Sequence, residues 1–342
     1  MHEAKYYSKE GHSIFCELCP QECHIMEEGS GNCGVRRERD GKLFALNYDH
    51  CGMLAVDPVE RKPLFHFYPG WNVLSMGTIG CNMQCTFCQN WNLVSGEDEG
   101  KEQLNPETVL SMLREHPPGE VLGAAYCYNE PVVWYEFVLD SSRLLAEHGY
   151  KNILVTNGYI NKAPLKELLP SLDALNIDIK AFSDEFYRRY SSGKGLQEIR
   201  RTVEDSLASC HVELTYLVIG SLNDSLTEIN RFIDWVASLD SEIPVHFRRY
   251  FPAHRMDVPP TPIMTMRKIW DMARERLSYV YLGSIMDVER NSTYCPHCGK
   301  LLIKRRGYHA ENVGLVGSGA KCQSCAEPVN LSGSFHGEEQ SK

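Results

Sequence analysis

Residues 73–88, VLSMGTIGCNMQCTFC, join a short apolar run to a glycine-containing loop and three closely spaced cysteines. The run at 73–76 has the composition of a buried β-strand, and the glycines that follow are typical of a turn. Cys81, Cys85 and Cys88 then form a CxxxCxxC arrangement. A strand that ends in a loop with three thiols predicts a metal or iron–sulfur site at its carboxyl end.

Five more strand candidates follow along the chain, each with a helical pattern after it. They are Val121–Tyr128, Asn152–Thr156, Ala174–Asp178, His211–Ile219 and Val245–Phe251. Short strands that alternate with longer helices are typical of βα units around a parallel sheet. Helix start signals at Asn105-Pro106 and at Ser225 to Glu228 support the pattern. The sequence predicts an α/β fold with a partial (β/α)6 TIM-like barrel over residues 71–285.

Polar residues recur where the predicted strands end. They are Asn129-Glu130-Pro131, Asn157-Gly158, Asp178, Lys180, Asn223-Asp224 and His254. In a βα barrel the loops after the strands converge on one mouth, so these groups are expected to meet there. Each residue taken alone is also an ordinary turn or cap residue. Their joint recurrence favours a shared functional site.

The regions on either side of the barrel are rich in cysteine and lack the βα pattern. Eleven of the 14 cysteines fall into three groups, and the two terminal groups are Cys16, Cys19, Cys23, Cys33 and Cys295, Cys298, Cys322, Cys325. The sequence predicts a Cys-rich metal-binding region at 1–70, a zinc-ribbon-like module at 286–333 and a disordered tail at 334–342. Such small modules need a metal for stability.

The spacing of the terminal cysteines indicates metal ligation. The two CxxC pairs of the C-terminal group suit a tetrahedral zinc ion, and a rubredoxin-type iron would use the same ligands. The N-terminal group can hold zinc or an auxiliary cluster, and zinc is the preferred interpretation. The isolated Cys51, Cys127 and Cys210 are expected to be small buried hydrophobic residues.

The CxxxCxxC group has a different implication from the groups of four. Three cysteines that bind a four-iron cluster leave one iron open to a ligand that the protein does not supply. The alternative is a structural zinc or redox cluster whose fourth ligand comes from elsewhere in the chain.

Length and charge restrict the class of protein further. A chain of 342 residues, 43% of them apolar, can form one large core with smaller attachments. The net charge of −10 is spread along the sequence, which gives no reason to expect binding to nucleic acid or membranes. With no signal-peptide pattern and no apolar run of membrane-spanning length, a cytoplasmic location is expected.

The cysteine motif, with Phe87 before its last cysteine and the first barrel strand before its loop, resembles the radical SAM superfamily. Several segments more narrowly resemble the radical SAM enzyme of the AmmeMemoRadiSam system, a relative of the pyruvate formate-lyase activating enzymes. These segments are Cys16–Pro20, Gly31–Arg36, Ala55–Pro58, Arg61–Leu64, Cys88–Trp91, Tyr128–Pro131, Val155–Tyr159, Asn176–Phe182, Pro259–Pro262 and the final cysteines. The resemblance covers nearly the whole chain and implies a barrel of the radical SAM type.

The resemblance implies a [4Fe–4S] cluster on Cys81, Cys85 and Cys88 whose open iron chelates S-adenosylmethionine. Reductive cleavage would then yield a 5′-deoxyadenosyl radical that abstracts hydrogen from a substrate. The implied cofactor-binding residues are Phe87 against the adenine, Asn129 and Glu130 at the methionine ammonium, Asn157, Asp178 at the ribose or a cation, and Lys180 at the methionine carboxylate. Asp178 and Lys180 can alternatively form a structural ion pair.

Two departures from the family pattern bear on the substrate. Gly220-Ser221 replaces a common Pro-Gly, and Arg248 stands where a serine is common. Arg248 or Arg249 can bind a carboxylate or phosphate in the mouth, or can point outward to pair with a helix carboxylate.

Three functions remain open on the sequence. The first is a radical SAM oxidoreductase acting on a protein, in the manner of a glycyl-radical activase, with a Memo-like or AMMECR-like partner and a low-potential electron donor. The second uses the same chemistry on a small molecule or tRNA. The third is a non-catalytic metal-binding scaffold, for which the three cysteine groups are the motivation.

Overall fold

The computed structural model describes residues 1–96, 102–317 and 321–336. The N-terminal region consists of seven short strands that precede the main sheet. They are β1 (His2–Glu3), β2 (Tyr7–Glu10), β3 (Ser13–Cys16), β4 (His24–Ile25), β5 (Arg36–Arg39), β6 (Lys42–Ala45) and β7 (His50–Cys51). The first six form two antiparallel three-stranded sheets, in the orders β2-β3-β4 and β1-β6-β5.

One eight-stranded sheet forms the centre of the protein. The strands from residue 53 to residue 283 are β8 (Met53–Pro58), β9 (Asn72–Gly77), β10 (Glu102–Gln103), β11 (Val121–Tyr126), β12 (Lys151–Thr156), β13 (Ala174–Ile179), β14 (His211–Val218), β15 (Val245–Arg249) and β16 (Val280–Gly283). All belong to this sheet except β10, which pairs with β7. The order is β16-β15-β14-β13-β12-β11-β9-β8, and only β8 runs antiparallel to its neighbour.

The predicted α/β fold with a partial parallel barrel is confirmed. Each of the six predicted strands is present, within three residues of its expected ends. The sheet also contains two strands that the sequence pattern did not predict, the antiparallel β8 and the seventh parallel strand β16. Since β8 and β16 are the two ends of the strand order, the described sheet is open.

Helices follow the parallel strands and cover the sheet. They are α1 (Trp91–Ser95), α2 (Pro106–Glu115), α3 (Tyr135–Glu147), α4 (Lys162–Leu168), α5 (Asp184–Phe186), α6 (Gln197–Leu207), α7 (Leu226–Leu239), α8 (Ile263–Arg274) and α9 (Val288–Asn291). Both predicted start signals operate: the side chains of Asn105 and Ser225 accept from the third following backbone N–H. None of the helices in these described ranges is long and apolar enough to cross a membrane.

The base of the barrel is closed by a polar network rather than by apolar side chains alone. Glu213 is fully buried on β14 and accepts from His246 Nε2 at 2.6 Å and His211 Nε2 at 3.0 Å. It also accepts from the backbone N–H groups of Phe65 and His66 at 3.0 and 2.7 Å. These contacts fix the segment at Phe65 and His66, which precedes β9, to the sheet. They also supply the hydrogen-bond donors that a buried carboxylate requires.

The C-terminal module packs on this base. Its strands are β17 (Thr293–Tyr294), β18 (Leu301–Arg306), β19 (His309–Asn312), β20 (Leu315–Val316) and β21 (Lys321–Cys322). Arg305 on β18 is fully buried and donates to the Phe65 carbonyl at 2.6 Å and to Thr293 Oγ1 at 2.7 Å. The module is thus joined to the barrel through buried contacts.

The predicted tail begins within this packing. Ser334 and Phe335 are buried, and the Ser334 carbonyl accepts from Trp71 Nε1 at 3.2 Å. The expected disorder from residue 334 is wrong for these residues, because the Phe335 ring packs in the apolar cluster of the C-terminal module. Residues 337–342 lie outside the described ranges.

Candidate active site and metal centres

The carboxyl edge of the parallel strands borders a cavity of about 460 Å³. Every residue that the sequence assigned to the catalytic site or to its cofactor lines this cavity: Cys81, Cys85, Cys88, Phe87, Asn129, Glu130, Asn157, Asp178 and Lys180. The volume lies in the range of small-molecule and cofactor sites. The structure therefore brings the predicted residues together from four separate loops.

The three cysteines lie in a loop that begins directly after β9. Gly77 ends that strand, and a Cβ atom there would lie 2.4 Å from the Cys127 carbonyl oxygen, so only glycine fits. Burial raises the pKa of all three thiols. Since a thiol must lose its proton to bind a metal, ligation here would have to displace those protons.

Cys127 lines the same cavity without joining the group of three. It is buried in an apolar cluster of the barrel, and its thiol lies 3.6 Å from the Ala125 carbonyl oxygen. The donor set of the CxxxCxxC loop is therefore three thiols, which fits a four-iron cluster with one iron left for an external ligand.

Asn129 holds the start of the cysteine loop. Its side-chain oxygen accepts from Thr78 N at 3.1 Å, and its amide donates to the Gly80 carbonyl at 2.8 Å. The amide thus spans the turn that leads into Cys81. The sequence resemblance assigned Asn129 to the methionine ammonium, whereas its observed contacts are with the protein backbone.

Asn157 and Asn82 fasten the same loop to the end of β12. Asn157 Nδ2 donates to Asn82 Oδ1 at 2.9 Å, and Asn82 Nδ2 donates to the Tyr159 carbonyl at 2.7 Å. Both side chains are buried. Asn82 was not singled out in the sequence, because it reads as a spacer between two cysteines.

Glu130 is a buried carboxylate at the end of β11 with three protein donors. Oε1 accepts from Val132 N at 3.0 Å and from Thr156 Oγ1 at 2.7 Å, and Oε2 accepts from Asn157 N at 2.7 Å. Burial nevertheless raises its pKa to about 7. An ionised carboxylate has about four acceptor positions, so one remains for a ligand donor in the cavity.

Asp178 and Lys180 form an ion pair at the end of β13. Lys180 Nζ lies 2.5 Å from Asp178 Oδ2, and both side chains are partly exposed to the cavity. Burial opposes the charged lysine, but the Asp178 carboxylate and the Cys85 sulfur outweigh it and raise the pKa of Lys180. A permanent cation thus lies beside the cysteine loop, available to an anionic group.

Phe87 and a π-helical turn support the far side of the loop. The Phe87 ring is buried and packs against Phe186 with ring centroids 5.7 Å apart. The turn Tyr187–Ser191 accepts from the loop at two points, Gln84 N to the Ser191 carbonyl at 3.1 Å and Thr86 N to the Tyr190 carbonyl at 2.9 Å. Single π turns of this kind are frequent at functional sites.

Five of the strand-end residues expected at the mouth do not line the cavity: Pro131, Gly158, Asn223, Asp224 and His254. Asn223 is buried and bonds to the backbone of Ile219, Leu217 and Lys180, so it serves as a turn residue. His254 stacks on Trp91 with ring centroids 5.2 Å apart. Asn223 and His254 thus have structural roles.

Lys62, which precedes β9, also lines the cavity and forms a polar cluster with Asp57 and Tyr128. Lys62 Nζ is buried and donates to Asp57 Oδ2 at 2.7 Å, and the Tyr128 hydroxyl donates to the same oxygen at 2.6 Å. Although burial raises the pKa of Asp57, these donors lower it to about 2. The sequence pattern placed this segment before the barrel. The structure brings it to the cavity through the antiparallel pairing of β8 with β9, which the pattern did not predict.

Arg248 points into the cavity from β15. Its side chain lies over Gly283 of the neighbouring strand, where a Cβ atom would come within 2.7 Å of Arg248 Cγ. Among the described residues it makes neither an ion pair nor a hydrogen bond, so the outward pairing with a helix carboxylate is not what the structure shows.

The C-terminal cysteines form a compact group of potential metal ligands. The sulfurs of Cys295, Cys298, Cys322 and Cys325 all lie within 4.8 Å of one another. Two of the sulfur pairs are 3.6 Å apart, close to the roughly 3.8 Å that four thiolates around one zinc ion require. This group can hold a single metal ion.

The N-terminal cysteines surround a separate small cavity. Cys16, Cys19, Cys23 and Cys33 line it together with the buried Arg36. The structure therefore brings the four predicted ligands to one place, at the side of the cysteine loop that faces the N-terminal region.

Comparison with known proteins gives one family. A model of the radical SAM superfamily matches residues 76–236. The uncharacterized protein MJ0808 of Methanocaldococcus jannaschii is 37% identical over 346 residues, which cover 97% of this chain and 99% of that protein. A probable GTP 3′,8-cyclase of Thermococcus kodakarensis is 23% identical over 254 residues, covering 66% of this chain and 79% of that protein.

Two solved structures match at lower sequence identity. SuiB of Streptococcus suis bound to S-adenosylmethionine gives a TM-score of 0.49 at 12% identity, with 62% of this chain and 52% of SuiB covered. The chain thus spans about half the length of SuiB. A domain of pyruvate-formate lyase-activating enzyme from Bacteroides vulgatus gives 0.39 at 18% identity, with 47% of this chain and 98% of that domain covered.

The family match extends from β9 to α7 and includes the cysteine loop and the ends of β11, β12, β13 and β14. It therefore contains most of the cavity wall, and the relative in Methanocaldococcus matches over nearly its full length. The chain belongs to the radical SAM superfamily of enzymes, and membership implies a [4Fe–4S] cluster and S-adenosylmethionine as its cofactors.

Proposed function

We propose that Cys81, Cys85 and Cys88 hold the catalytic [4Fe–4S] cluster and that S-adenosylmethionine binds in the cavity beside it. The observation that carries this proposal is the convergence of three thiols, the Glu130 carboxylate and the Asp178–Lys180 pair on one cavity of about 460 Å³. When bound, the cluster and S-adenosylmethionine together supply a 5′-deoxyadenosyl radical for hydrogen abstraction.

The protein's own side chains have two tasks in this proposal. Asn129, Asn82 and Asn157 fix the cysteine loop through buried amide contacts, so that the three thiols are held before the cofactors bind. Glu130 offers its remaining acceptor position to the methionine ammonium, and Lys180 offers its cation to the methionine carboxylate. Charge-assisted contacts of this kind are the stronger hydrogen bonds in proteins.

We further propose a protein substrate, as for an activating enzyme. A nucleoside cofactor fills most of a cavity of this volume, so the hydrogen donor has to approach through the mouth. The rim includes Met53 and Tyr308, which are 47% and 50% exposed, next to Arg61. An exposed apolar and cationic rim favours a polypeptide segment that extends across it, presented by a Memo-like or AMMECR-like partner.

The decisive experiment starts from anaerobically reconstituted enzyme with a strong reductant. We expect 5′-deoxyadenosine from S-adenosylmethionine, and deuterium in that product when a labelled candidate protein is present. A preparation that binds only zinc, or binds a cluster but forms no 5′-deoxyadenosine, would show that the chain is a metal-binding scaffold. Deuterium transfer from metabolites or tRNA alone would exclude the protein substrate while leaving the cofactor chemistry intact.

Zinc is the proposed occupant of the C-terminal centre. The sulfur spacing there matches one tetrahedral ion, and the module lies against the barrel base through Arg305. Its role in the proposal is structural, since four thiolates leave zinc no open position.

A further inference from the structure

We propose that Cys16, Cys19, Cys23 and Cys33 bind a second iron–sulfur cluster, directly beside the catalytic cysteine loop, rather than the zinc ion that the sequence favoured. The spacing of the sulfurs separates a cluster from a single zinc ion. The cavity that the sulfurs share, the charge that faces it and its neighbours indicate where the centre lies and that it is anionic.

The sulfur spacing differs between the two terminal groups. The C-terminal sulfurs lie close enough for one ion, all within 4.8 Å. Within residues 1–96, 102–317 and 321–336, no other three Cys, His, Asp or Glu side chains bring their ligand atoms this close together. The N-terminal sulfurs are therefore spread more widely, as expected for thiolates that bind different irons of one cluster.

The four N-terminal cysteines line one small cavity, of about 10 Å³. Their side chains therefore face a common space, in which a centre bound by all four can lie.

A buried cation faces this cavity. The Arg36 side chain is 1% exposed, and its Nη2 donates to Glu136 Oε1 at 2.6 Å and to the Lys5 carbonyl at 2.7 Å. Its Nε and Nη1 atoms are buried and have no hydrogen-bond partner within the described ranges. Unsatisfied guanidinium groups are costly in a protein interior, so an anionic centre ligated by thiolates supplies the missing partner.

The cavity lined by the N-terminal cysteines adjoins the loop of Cys81, Cys85 and Cys88, at the residues on both sides of Cys81. Gly80 packs against the N-terminal group so closely that a Cβ atom there would lie 2.7 Å from the Cys33 carbonyl oxygen. Asn82 lines the N-terminal cavity, and its carbonyl accepts from Gln21 Nε2 at 2.8 Å. The two centres are therefore separated by little more than the backbone of one loop.

The test is metal analysis of anaerobically reconstituted full-length protein and matched variants. Iron, acid-labile sulfide and zinc are measured per chain. The triple variant Cys81→Ala, Cys85→Ala, Cys88→Ala should keep roughly half of the iron and sulfide if the second cluster has four irons, or about a third if it has two. Cys33→Ala should lose that remaining share, and Cys210→Ala, outside all three groups, should lose none.

Spectroscopy gives a second measurement that does not depend on Cys33→Ala folding. The reduced triple variant should show the electron paramagnetic resonance signal of an iron–sulfur cluster, although it cannot cleave S-adenosylmethionine. A triple variant that contains no iron and carries zinc in excess of one ion per chain overturns the proposal. If only the site of Cys81, Cys85 and Cys88 failed to bind a cluster, the wild-type protein would lack that share of the iron but would keep the share bound by the N-terminal cysteines. The two proposals can therefore be tested separately.

Discussion

The side chains of Asn82 and Asn157 are joined by a hydrogen bond of 2.9 Å that connects the catalytic cysteine loop to the end of β12. Asn82 lies next to Cys81 in sequence and also donates to the Tyr159 carbonyl at 2.7 Å, while Asn157 Oδ1 accepts from Tyr159 N at 2.9 Å. The two amides and one backbone unit form a closed set of contacts. The position of Cys81, the first of the three proposed cluster ligands, thus depends on β12, which lies two strands away from β9 in the sheet.

Asn157→Ala should loosen this connection. It removes the partner of the buried Asn82 oxygen, and leaving such a group unpaired costs about 1–3 kcal/mol. We expect a lower free energy of unfolding in urea and faster loss of iron from the catalytic cluster under a chelator. Asn92→Ala, at an exposed position of α1, is the control that should change neither quantity strongly. Unchanged stability in Asn157→Ala would show that the amide pair is not structural.

Cys85→Ala should abolish 5′-deoxyadenosine formation, because two thiolates cannot hold a site-differentiated four-iron cluster in place. The zinc content of the C-terminal centre should stay at its wild-type value. Cys127→Ala is a matched control, since Cys127 lines the same cavity but contacts the Ala125 carbonyl. If Cys127→Ala lost iron to the same extent, the cluster would have a fourth protein ligand.

Arg248→Ser should separate cofactor cleavage from substrate turnover. Arg248 lines the cavity and forms no ion pair with any residue in the described ranges, so we expect it to bind an anionic group of the substrate. A charge-assisted contact is worth on the order of 1.5–3 kcal/mol, which corresponds to a loss of about 10- to 100-fold in kcat/KM for hydrogen abstraction.

The amount of 5′-deoxyadenosine formed without substrate should not change in Arg248→Ser. Arg248→Lys keeps the charge without the planar guanidinium and should recover part of the activity. A weaker binding of S-adenosylmethionine to Arg248→Ser, measured by calorimetry, would instead assign the arginine to the cofactor.

His66 should make the fold sensitive to mild acid. Burial lowers the pKa of His66 from 6.5 to about 3. Between these two values the unfolded chain takes up a proton that the folded protein does not, so stability falls as the pH drops below 6.5. At pH 5 this amounts to about 2 kcal/mol relative to pH 7.5.

His66→Gln removes this difference while keeping a group that can bond to the Asn330 carbonyl or the Tyr281 hydroxyl, both 2.5 Å from the imidazole nitrogens. Urea unfolding of both proteins at the two pH values measures the effect. An equal pH dependence in the variant would assign the acid sensitivity to other groups, such as the buried His246.

The fold was predictable where the signal is local. The six parallel strands are apolar runs followed by helix starts, and the structure contains each of them. Strand β16 was missed because Val280–Gly283 is too short to stand out. Strand β8 was missed because its place depends on antiparallel pairing with β9, a tertiary contact that no local pattern encodes.

The residues of the candidate site were likewise predictable only where they carry a local sequence signal. Cys81, Cys85 and Cys88 carry a spacing signal, and Glu130 and Lys180 follow strands that the pattern identifies. Lys62 and Asn82 carry no such signal, since one precedes the barrel and the other reads as a spacer residue. Arg248 could be noticed as a departure from the family pattern, but only the structure shows that it forms no ion pair or hydrogen bond with the part of the chain that is described.

The hairpin between β18 and β19 reaches from the C-terminal module to the entrance of the cavity. Its tip carries Tyr308, which lies 5.9 Å from the Arg61 guanidinium, and three residues earlier Arg305 is fixed in the barrel base. The C-terminal module thus forms part of the entrance. If zinc occupies the four-cysteine group of that module, as proposed above, zinc supply in the cell would influence which substrates gain access, without any change in the chemistry behind the entrance.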